Sequence, residues 1–529
     1  MARVSPLSAA ASGASEDATA PLHDLIVVGS GFGGVMAAYP SVTAGKRVLM
    51  IERGDWIARG AGNWGPDGFF SLTPAYSSEA PYRVLAGGDG ETLGTIACVG
   101  GASVFFGGVA LRLREGDFDP DPDIVTDSGA EWPYTYGDLE PYYSQAEQLI
   151  GVAGAAGEDP TEPWRSEAYP QAPGPLAPLS ARMMGAAREL GLHPFRLPLA
   201  INYAASNGRQ ACAACNTCDG FACAVHAKND MSVTIPKLQE RGMRLEVNTV
   251  AVGLTHDGPR STGVACVDRR TLQPRRFRGR AVVVAAGALA TPHLLLASDL
   301  ARRNPAGAAI GRYLMRHCNS VVMGAFLRKP SPAAEFHKQI AVQDYYFGHP
   351  SVSHPSGKLG CIQQFGTPQV AYVTRYLRGW KRAAASFGVP HTTGLIVMAE
   401  DRPLATNQVA LTGGTTRFGM PKATVTHRYD PRDLAARLAL VGAAKRILRQ
   451  AGAVLCVVHD LVTFSHAVGT VRLGSDPARA PLDAWGGFRG VDNLYVADGS
   501  ALPRSGGVNP SLTIAANALR TGTRIASVL

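Results

Sequence analysis

The first sixty residues alternate between apolar runs and short glycine-rich or polar segments. Residues 25–28 form an apolar run with the length and composition of a buried parallel strand, and residues 47–51, which are apolar after Arg47, predict a second strand. Between them the motif GSGFGG occupies residues 29–34, and the residues after it can form a helix. Pro40 lies inside that helix, and because proline lacks a backbone donor we expect the helix to kink or to end early.

The glycine motif and an acidic residue after the second strand predict a dinucleotide site. Gly29 permits a tight turn, Gly31 lets the backbone approach a pyrophosphate, and Gly34 lets the helix pack on the strand. The helix N-terminus offers unpaired N–H groups to the phosphates. Glu52 directly follows the second strand, where an acid can bond ribose hydroxyls. This unit alone leaves both FAD and NAD open.

The C-terminal part of the chain carries a second turn that can meet a cofactor. An apolar strand at residues 495–497 leads into Asp498 and Gly499, a turn that can contact a ribityl chain. Asn509 and Pro510 then open a helix, where the missing N–H of proline costs nothing. The dipole of that helix would point at an electron-rich flavin ring. These features favour FAD.

The stretch between these two regions predicts an antiparallel sheet with a packed helix. Residues 408–411 and 423–427 have the pattern of strands joined by turns rich in Gly and Thr. Asp430 is placed to cap the next helix, Pro431 is its first residue, and Gly452 ends it. Four apolar residues at helical spacing predict one buried stripe: Leu434, Leu438, Val441 and Leu448.

The amino-acid composition limits which classes of protein the chain can belong to. The chain has 529 residues, too many for one simple core, and 46% hydrophobic against 18% charged residues indicates a soluble globular protein. The net charge is 51 − 42 = +9. The densest basic run, residues 269–280, lies between two apolar runs, which indicates a solvated hairpin rather than a nucleic-acid site.

Targeting and membrane signals are weak. Residues 1–20 are rich in Ala and Ser without a basic start or an apolar stretch, which predicts a disordered tail rather than a signal peptide. No apolar run reaches the roughly 18 residues that span a bilayer, so we expect no membrane span. The nine cysteines include one local cluster and fit a reducing compartment, which favours a cytoplasmic location.

Five further segments, in this order, resemble the signature motifs of the glucose–methanol–choline (GMC) oxidoreductase family. They are residues 98–103, 132–143, 287–298, 465–474 and 493–514. One departure is Asp299, which stands where the motif at 287–298 usually closes with glycine. The resemblance covers most of the chain.

The resemblance implies a fold class of α/β type (α+β overall), with two domains. A Rossmann-like FAD-binding domain would be assembled from the separated segments 20–115, 205–318 and 455–529. A substrate-binding domain on an antiparallel sheet would come from residues 116–204 and 319–454. In the latter, residues 345–348 and 363–365 are candidate aromatic or amide linings of the substrate pocket, although ordinary strand packing is the more usual explanation of such residues.

The resemblance also assigns residues to the cofactor. The expected FAD contacts are Gly29, Gly31, Phe32, Gly33, Gly34, Glu52, Arg53, Gly100, Ser103, Gly107, Val250, Ala286, Asp498, Gly499, Asn509, Pro510 and Thr513. Many relatives carry Asn or His near the flavin three residues beyond their counterpart of Ser103, where this chain has Phe106. Phe106 cannot form a histidyl–flavin bond, so we expect noncovalent FAD and backbone contacts from Gly107 or Gly108.

The implied reaction is oxidation of a CH–OH group to the carbonyl, with hydride transfer to flavin N5. His466 matches the catalytic histidine of the family and is the candidate general base, since a histidine titrates near neutral pH. Asn509 matches the partner position and can hold the substrate oxygen, although an amide cannot act as a base. The substrate would be a small-molecule alcohol, namely a sugar, polyol, aminoglycoside or another secondary-metabolite alcohol. O2 or another acceptor would take the electrons.

The cysteine cluster leaves an alternative open. Cys212, Cys215, Cys218 and Cys223 have spacing close to that of iron–sulfur or zinc ligands, but they also fit structural cysteines or redox-active thiols. An iron–sulfur cluster there would make the chain a dehydrogenase module that passes electrons to a protein or quinone. A flavin-containing hydroxynitrile lyase is a further alternative within the same family.

Overall fold

A computed structural model gives the fold, and it describes residues 21–60, 62, 76–85, 92–205, 209–330, 338–353, 358–374 and 376–529. The expected tail at residues 1–20 lies outside them. The strands are β1 (Leu22–Val28), β2 (Val48–Ile51), β3 (Tyr76–Val84), β4 (Thr92–Ile96), β5 (Phe195–Arg196), β6 (Arg244–Glu246), β7 (Thr249–Asp257), β8 (Arg260–Asp268), β9 (Pro274–Val284), β10 (Cys318–Ala325), β11 (Ile340–Val342), β12 (Gly360–Phe365), β13 (Thr392–Ala399), β14 (Gln408–Thr415), β15 (Pro421–Thr426), β16 (Leu455–Asp460) and β17 (Leu494–Val496).

The α-helices are α1 (Phe32–Thr43), α2 (Pro122–Ser128), α3 (Tyr136–Ile150), α4 (Pro178–Glu189), α5 (Ile235–Glu240), α6 (Ala290–Ala297), α7 (Val370–Thr374), α8 (Gly379–Gly388), α9 (Pro431–Gln450) and α10 (Ser511–Val528). Helix α1 contains Pro40 and ends at Thr43, within one turn of the proline. No helix in the described part of the chain is long and apolar enough to cross a membrane.

A seven-stranded sheet carries the glycine motif. Its strand order is β6-β2-β1-β9-β8-β7, and β17 also pairs with β9. β6, β2, β1, β9 and β17 run parallel, whereas β8 pairs antiparallel with both β9 and β7. β2 and the part of β1 from Leu25 onward are continuous apolar runs, as is typical where both faces of a parallel sheet are covered. Helix α10 packs closely on α1, since a Cβ on Gly522 would overlap the carbonyl oxygen of Ala37.

The basic run at residues 269–280 lies in this sheet. Most of it belongs to the β8–β9 turn and to β9, which pairs antiparallel with β8. The hairpin predicted from the flanking apolar runs is therefore confirmed.

A six-stranded antiparallel sheet, in the order β16-β10-β13-β12-β11-β5, forms the second layer. Helices α4 and α9 cover one face of it around a core that includes Met183, Val322, Leu395 and Leu440. A third sheet, β14-β15-β3-β4, contains the predicted β14–β15 hairpin. The Rossmann-like α/β architecture with an antiparallel substrate sheet is thus confirmed.

Helix α9 begins and ends where the sequence predicts, but its buried face differs. Asp430 caps the helix by accepting the N–H of Arg432, and Gly452 follows it with a φ of +97°. The predicted stripe is wrong in its first half, because Leu434 is 37% and Leu438 61% exposed. Small residues let the helix lie close to the sheet, so the buried face is instead made by Ala436, Leu440, Val441, Ala443, Ala444, Ile447 and Leu448.

The segments assigned to the FAD-binding domain supply every strand of the seven-stranded sheet and also one edge strand of the six-stranded sheet. Residues 22–51, 244–284 and 494–496 supply the strands of the seven-stranded sheet. Residues 455–460, which the domain prediction places with the FAD segments, form β16 at the edge of the six-stranded sheet. The division into domains stays a prediction.

Candidate active site

The glycine motif forms a tight backbone crossing between β1 and α1. Gly29 has a φ of +106°, and a Cβ there would overlap the carbonyl oxygen of Ala285. A Cβ on Gly33 would overlap the carbonyl oxygen of Ala497, and one on Gly34 that of Gly29. Gly31 is different, because a Cβ there would come no closer than 3.9 Å to any atom outside its chain neighbours. The open space at Gly31 is where a ligand can approach the backbone.

The N-terminus of α1 is not capped by any side chain, so its N–H groups point into the same space. Phe32 begins this helix, and its ring contacts the ring of Phe106 edge-on with centroids 5.2 Å apart. The helix terminus and the open face of Gly31 could together hold an anion such as a pyrophosphate.

Glu52 is held at the end of β2 by its neighbours. Its carboxylate accepts the Oγ–H of Ser30 at 2.6 Å and the N–H of Gly54 at 2.8 Å. Ser30 Oγ in turn accepts the N–H of Gly100 at 3.0 Å, and Ser103 Oγ donates to the carbonyl of Gly100. This chain of bonds ties the glycine motif to the segment 98–103.

The remaining predicted cofactor residues lie around the ends of the parallel strands. Arg53 donates to Thr95 Oγ1 and to the carbonyl of Ile96. Asp498 follows β17 and accepts the N–H of Gly287 and the hydroxyl of Thr291. The others take these places: Val250 in β7, Ala286 after β9, Gly499 in the 3-10 turn Gly499–Ala501, Pro510 as N-cap of α10, and Thr513 in its first turn.

A buried lysine ties the cysteine segment to the segment that contains Phe106 and Gly107. Lys228 Nζ donates to the carbonyls of Phe106 and Cys218 at 2.7 Å and of Phe221 at 2.8 Å. The side chain is fully buried, and burial lowers its pKa. Three carbonyls satisfy the three N–H donors of the ammonium, which therefore holds these two segments together.

His466 lies against a second histidine, His317. Their Nδ1 atoms are 3.0 Å apart, and the rings are perpendicular with centroids separated by 5.1 Å. On its other side, His317 Nε2 is 2.9 Å from the carbonyl oxygen of Gly506 and 3.1 Å from that of Ser505. Burial is the main cause that lowers the pKa of His466 to about 3, and the neighbouring His317 and the charge of Lys338 lower it as well, so its imidazole is neutral at pH 7.

Asp401 anchors the backbone that carries His317. Its carboxylate accepts the N–H groups of Arg316 and His317 at 2.8 and 3.0 Å, and the Oγ–H of Ser505 at 2.9 Å. Tyr429 donates its hydroxyl to the carbonyl of His317. His317 is buried, and burial lowers its pKa as well.

Asn509 faces the six-stranded sheet. Gln363 of β12 donates from Nε2 to Asn509 Oδ1 at 2.6 Å. Nearby, Tyr346 accepts the N–H of Gly507 and donates to Asp117. Residues 345–348 and 363–365 therefore include two side chains, Tyr346 and Gln363, that meet the segment from Gly506 to Asn509.

An ion pair lies beside Gly107. Lys338 Nζ is 2.9 Å from Asp219 Oδ2, and a Cβ on Gly107 would overlap Asp219 Oδ1. The Lys338 side chain is 6% exposed and that of Asp219 is 31% exposed. Both charges act on the pKa of His466, Lys338 lowering it and Asp219 raising it. The pair thus belongs to the surroundings of His466.

Comparison with known proteins agrees with this geometry. Two models of GMC oxidoreductase sequences match residues 92–319 and 403–518. The chain belongs to the GMC oxidoreductase family. It is 32% identical to 6'''-hydroxyparomomycin C oxidase of Streptomyces lividus and 32% identical to paromamine 6'-oxidase of Streptomyces fradiae. Each alignment covers 96% of this chain and 92% of the relative.

Other relatives of this GMC oxidoreductase are more distant. It is 27% identical to 2-methyl-1,2-propanediol dehydrogenase of Mycolicibacterium austroafricanum, over 95% of each chain. Among solved structures, pyridoxine 4-oxidase from Mesorbium loti superposes with a TM-score of 0.64 at 18% identity, covering 95% of this chain and 99% of that one. Formate oxidase of Aspergillus oryzae gives 0.65 at 14% identity, covering 96% and 99%. These two likenesses show the shared fold.

The cysteine cluster of this GMC oxidoreductase does not have the geometry of a metal site. In the described residues, which include all four cysteines, no group of three or more His, Cys, Asp or Glu side chains could hold a metal ion. Cys212, Cys215, Cys218 and Cys223 are free thiols. Burial raises the pKa of Cys212 to about 11 and raises that of Cys218 well above its usual value, which keeps both thiols protonated. The iron–sulfur alternative is not supported.

Several residues of the site carry no sequence motif. His317, Asp401, Lys338 and Asp219 come from separate segments, and only the fold brings them to His466. Asp299 illustrates a departure that the fold explains, because it has a φ of +57° at the position where glycine is usual. A left-handed backbone is the property that glycine would supply there, and aspartate tolerates it.

Proposed function

We propose that this GMC oxidoreductase uses noncovalently bound FAD to oxidise a CH–OH group of an amino sugar or related polyol to the carbonyl, with His466 as general base. The observation that carries this proposal is the placement of His466 and Asn509. Each has a polar atom held by a side chain from a distant segment of the chain, His317 for His466 and Gln363 for Asn509.

The residues fit FAD at three points. The open face of Gly31 and the uncapped N-terminus of α1 suit its pyrophosphate. Glu52 at the end of β2 suits the adenosine ribose, and Asp498 with Gly499 suits the ribityl chain. Phe106 offers no nucleophilic atom, which supports noncovalent attachment. When bound, FAD supplies a hydride acceptor for the carbon that bears the alcohol.

His466 would remove the hydroxyl proton. A general base must be unprotonated in its resting state, and burial keeps the His466 imidazole neutral at pH 7. Positioned general-base help contributes roughly 10²–10⁴-fold to the rate. The positive charge that forms on the ring after proton transfer is close to the carboxylates of Asp219 and Asp401, which favour it.

Asn509 would hold the substrate oxygen. Because Gln363 donates to its Oδ1, the amide of Asn509 is turned so that Nδ2 remains as a donor. An N–H donor aimed at an alcohol oxygen stabilises the negative charge that develops as the proton leaves. Base and oxygen-holding groups are therefore supplied by two different segments of one C-terminal region.

The substrate class rests on the two aminoglycoside oxidases and on the charge beside the site. Those relatives are named for amino-sugar substrates and align over 96% of the chain. Amino sugars carry ammonium groups at neutral pH, and Asp219 supplies a partly exposed carboxylate near His466. A carboxylate near the reacting centre can select a cationic alcohol.

Anaerobic flavin reduction tests the proposal. The purified protein is mixed without O2 with paromamine, a neutral polyol or 2-methyl-1,2-propanediol, and bleaching of the flavin absorbance is followed. We expect paromamine to bleach the wild-type flavin. His466→Gln should keep its FAD and bleach about 10²–10⁴-fold more slowly. His256→Gln, a change in the β7–β8 hairpin, is the matched control and should behave like wild type.

The same experiment separates the alternatives. A hydroxynitrile lyase would leave the flavin oxidised with every alcohol, and a protein purified without flavin would contradict the whole proposal. Admission of O2 then identifies the electron acceptor. Oxygen consumption at the turnover rate identifies an oxidase, whereas rapid dye reduction without oxygen consumption identifies a dehydrogenase.

A further inference from the structure

The hydrogen-bond partners of His317 fix where its proton lies. Carbonyl oxygens only accept hydrogen bonds, and His317 Nε2 lies 2.9 Å from the carbonyl oxygen of Gly506 and 3.1 Å from that of Ser505. Nε2 must therefore carry a hydrogen. The ring is buried, so the neutral form prevails, and a neutral imidazole has one N–H only. His317 Nδ1 is consequently a lone-pair acceptor.

The acceptor role of His317 Nδ1 determines which nitrogen of His466 carries hydrogen. Its Nδ1 lies 3.0 Å from His317 Nδ1, within hydrogen-bonding distance, and two lone pairs cannot face each other without repulsion. His466 Nδ1 must donate. Because the His466 ring is also neutral, its other nitrogen, Nε2, is left with the lone pair that a base needs.

The backbone around His317 is built to hold this arrangement. His317 has a φ of +61°, an uncommon conformation for a residue with a side chain. Asp401 accepts the N–H of His317 at 3.0 Å and Tyr429 donates to its carbonyl at 2.8 Å, so both peptide groups of the residue are satisfied. A strained residue that is fixed on every polar atom points to a functional constraint.

We propose that His317 is a positioning residue that sets the tautomer of His466, placing the single ring proton of His466 on Nδ1 and its basic lone pair on Nε2. The effect on catalysis rests on the proposed function, whereas the tautomer does not. When Nε2 takes a proton from the substrate oxygen, the Nδ1–H···Nδ1 bond to His317 becomes charge-assisted and stabilises the cation.

Nitrogen NMR of the holoenzyme labelled with ¹⁵N-histidine tests the tautomer directly. The two ring nitrogens differ in shift according to which carries hydrogen, and the signals of His466 are those lost in His466→Gln. We expect wild-type His466 to be protonated on Nδ1 at pH 7. Shifts that show the hydrogen of His466 on Nε2 would overturn the inference. This outcome is independent of the base assignment, which is tested by the loss of activity in His466→Gln.

Two variants of His317 separate positioning from packing. His317→Asn keeps an acceptor oxygen near the position of Nδ1, whereas His317→Gln keeps a donor near Nε2 but offers His466 no acceptor. We expect His317→Asn to retain the His466 tautomer and to keep kcat within about threefold of wild type. His317→Gln should lose the tautomer preference and lower kcat about 10²-fold, with KM little changed. Equal losses in both variants with an unchanged His466 tautomer would overturn the positioning role.

Discussion

Gln363 Nε2 lies 2.6 Å from Asn509 Oδ1, and this bond orients the amide that we place on the substrate oxygen. A carboxylate at position 363 accepts rather than donates, so Gln363→Glu should turn the amide of Asn509 and remove its donor from the substrate. We expect kcat to fall about 10²-fold, the usual cost of losing one such donor. Steady-state kinetics with the preferred alcohol measure this change in kcat.

The pH dependence of Gln363→Glu distinguishes a turned Asn509 amide from a general disruption of the site. Once protonated, the introduced carboxyl group donates again, so activity relative to wild type should recover as the pH falls through its pKa. Gln364→Glu is the matched control, because Gln364 Oε1 only accepts bonds, from Ser180 and Gln339, and a carboxylate can accept them as well. A loss in Gln363→Glu that does not vary with pH would contradict the orienting role.

The depressed pKa of His466 predicts a flat pH profile above the acid range. A base with a pKa of about 3 is unprotonated at every pH from about 5 to 8, so kcat/KM for a neutral alcohol should stay constant there. An ordinary histidine, with a pKa of about 6.5, would lose activity tenfold per pH unit below that value. Because Lys338 lowers the pKa of His466, Lys338→Met should move the acid limb to higher pH.

The same shift has a consequence for stability. The unfolded chain binds a proton at His466 near pH 6.5, whereas the folded protein does so only near pH 3. The stabilisation is therefore present above pH 6.5 and is lost as the pH falls toward 3. Urea unfolding of wild type and His466→Gln between about pH 7 and pH 5 should show a weaker pH dependence in the variant.

The sequence predicted the parts of the fold that depend on local pattern. β1, β2, the glycine motif and the capped start of α9 are each set by residues within a few positions of one another. The buried face of α9 was missed because large side chains at 434 and 438 suggested a stripe, whereas the sheet accepts the alanine-rich side. The roles of His317 and Asp401 could not be predicted, since they depend on contacts between distant segments. Gln363 was a candidate only as part of the segment 363–365, and its contact with Asn509 also needed the fold.

The glycine motif contains a natural control pair. A methyl on Gly33 would overlap the carbonyl of Ala497, so Gly33→Ala should lower the free energy of unfolding of the apoprotein by about 1–3 kcal/mol. A methyl on Gly31 meets nothing closer than 3.9 Å, so Gly31→Ala should cost less than about 1 kcal/mol. FAD content should nevertheless fall in Gly31→Ala, because the methyl fills the face proposed for the pyrophosphate. Full flavin occupancy in Gly31→Ala would contradict that assignment.

Asp219 should discriminate between cationic and neutral alcohols. Its carboxylate lies beside Gly107 and is partly exposed next to Lys338, so Asp219→Asn removes the charge that we assign to recognition of an ammonium group. A hydrogen bond to a charged group contributes about 1.5–3 kcal/mol, which corresponds to a KM roughly ten- to a hundredfold higher for paromamine. KM for a neutral polyol should change less than about twofold.

Lys338 and a remote aspartate provide the controls. Lys338 forms an ion pair with Asp219 and so competes with the ammonium group of the substrate for this carboxylate. Lys338→Met removes the competing cation, so KM for paromamine should fall while KM for the neutral polyol stays the same. Asp257→Asn makes the same change of net charge as Asp219→Asn, but at the exposed end of β7, and it should leave the KM of both substrates unchanged. Equal shifts for cationic and neutral substrates in Asp219→Asn would show that Asp219 acts on the shape of the site rather than on the charge of the substrate.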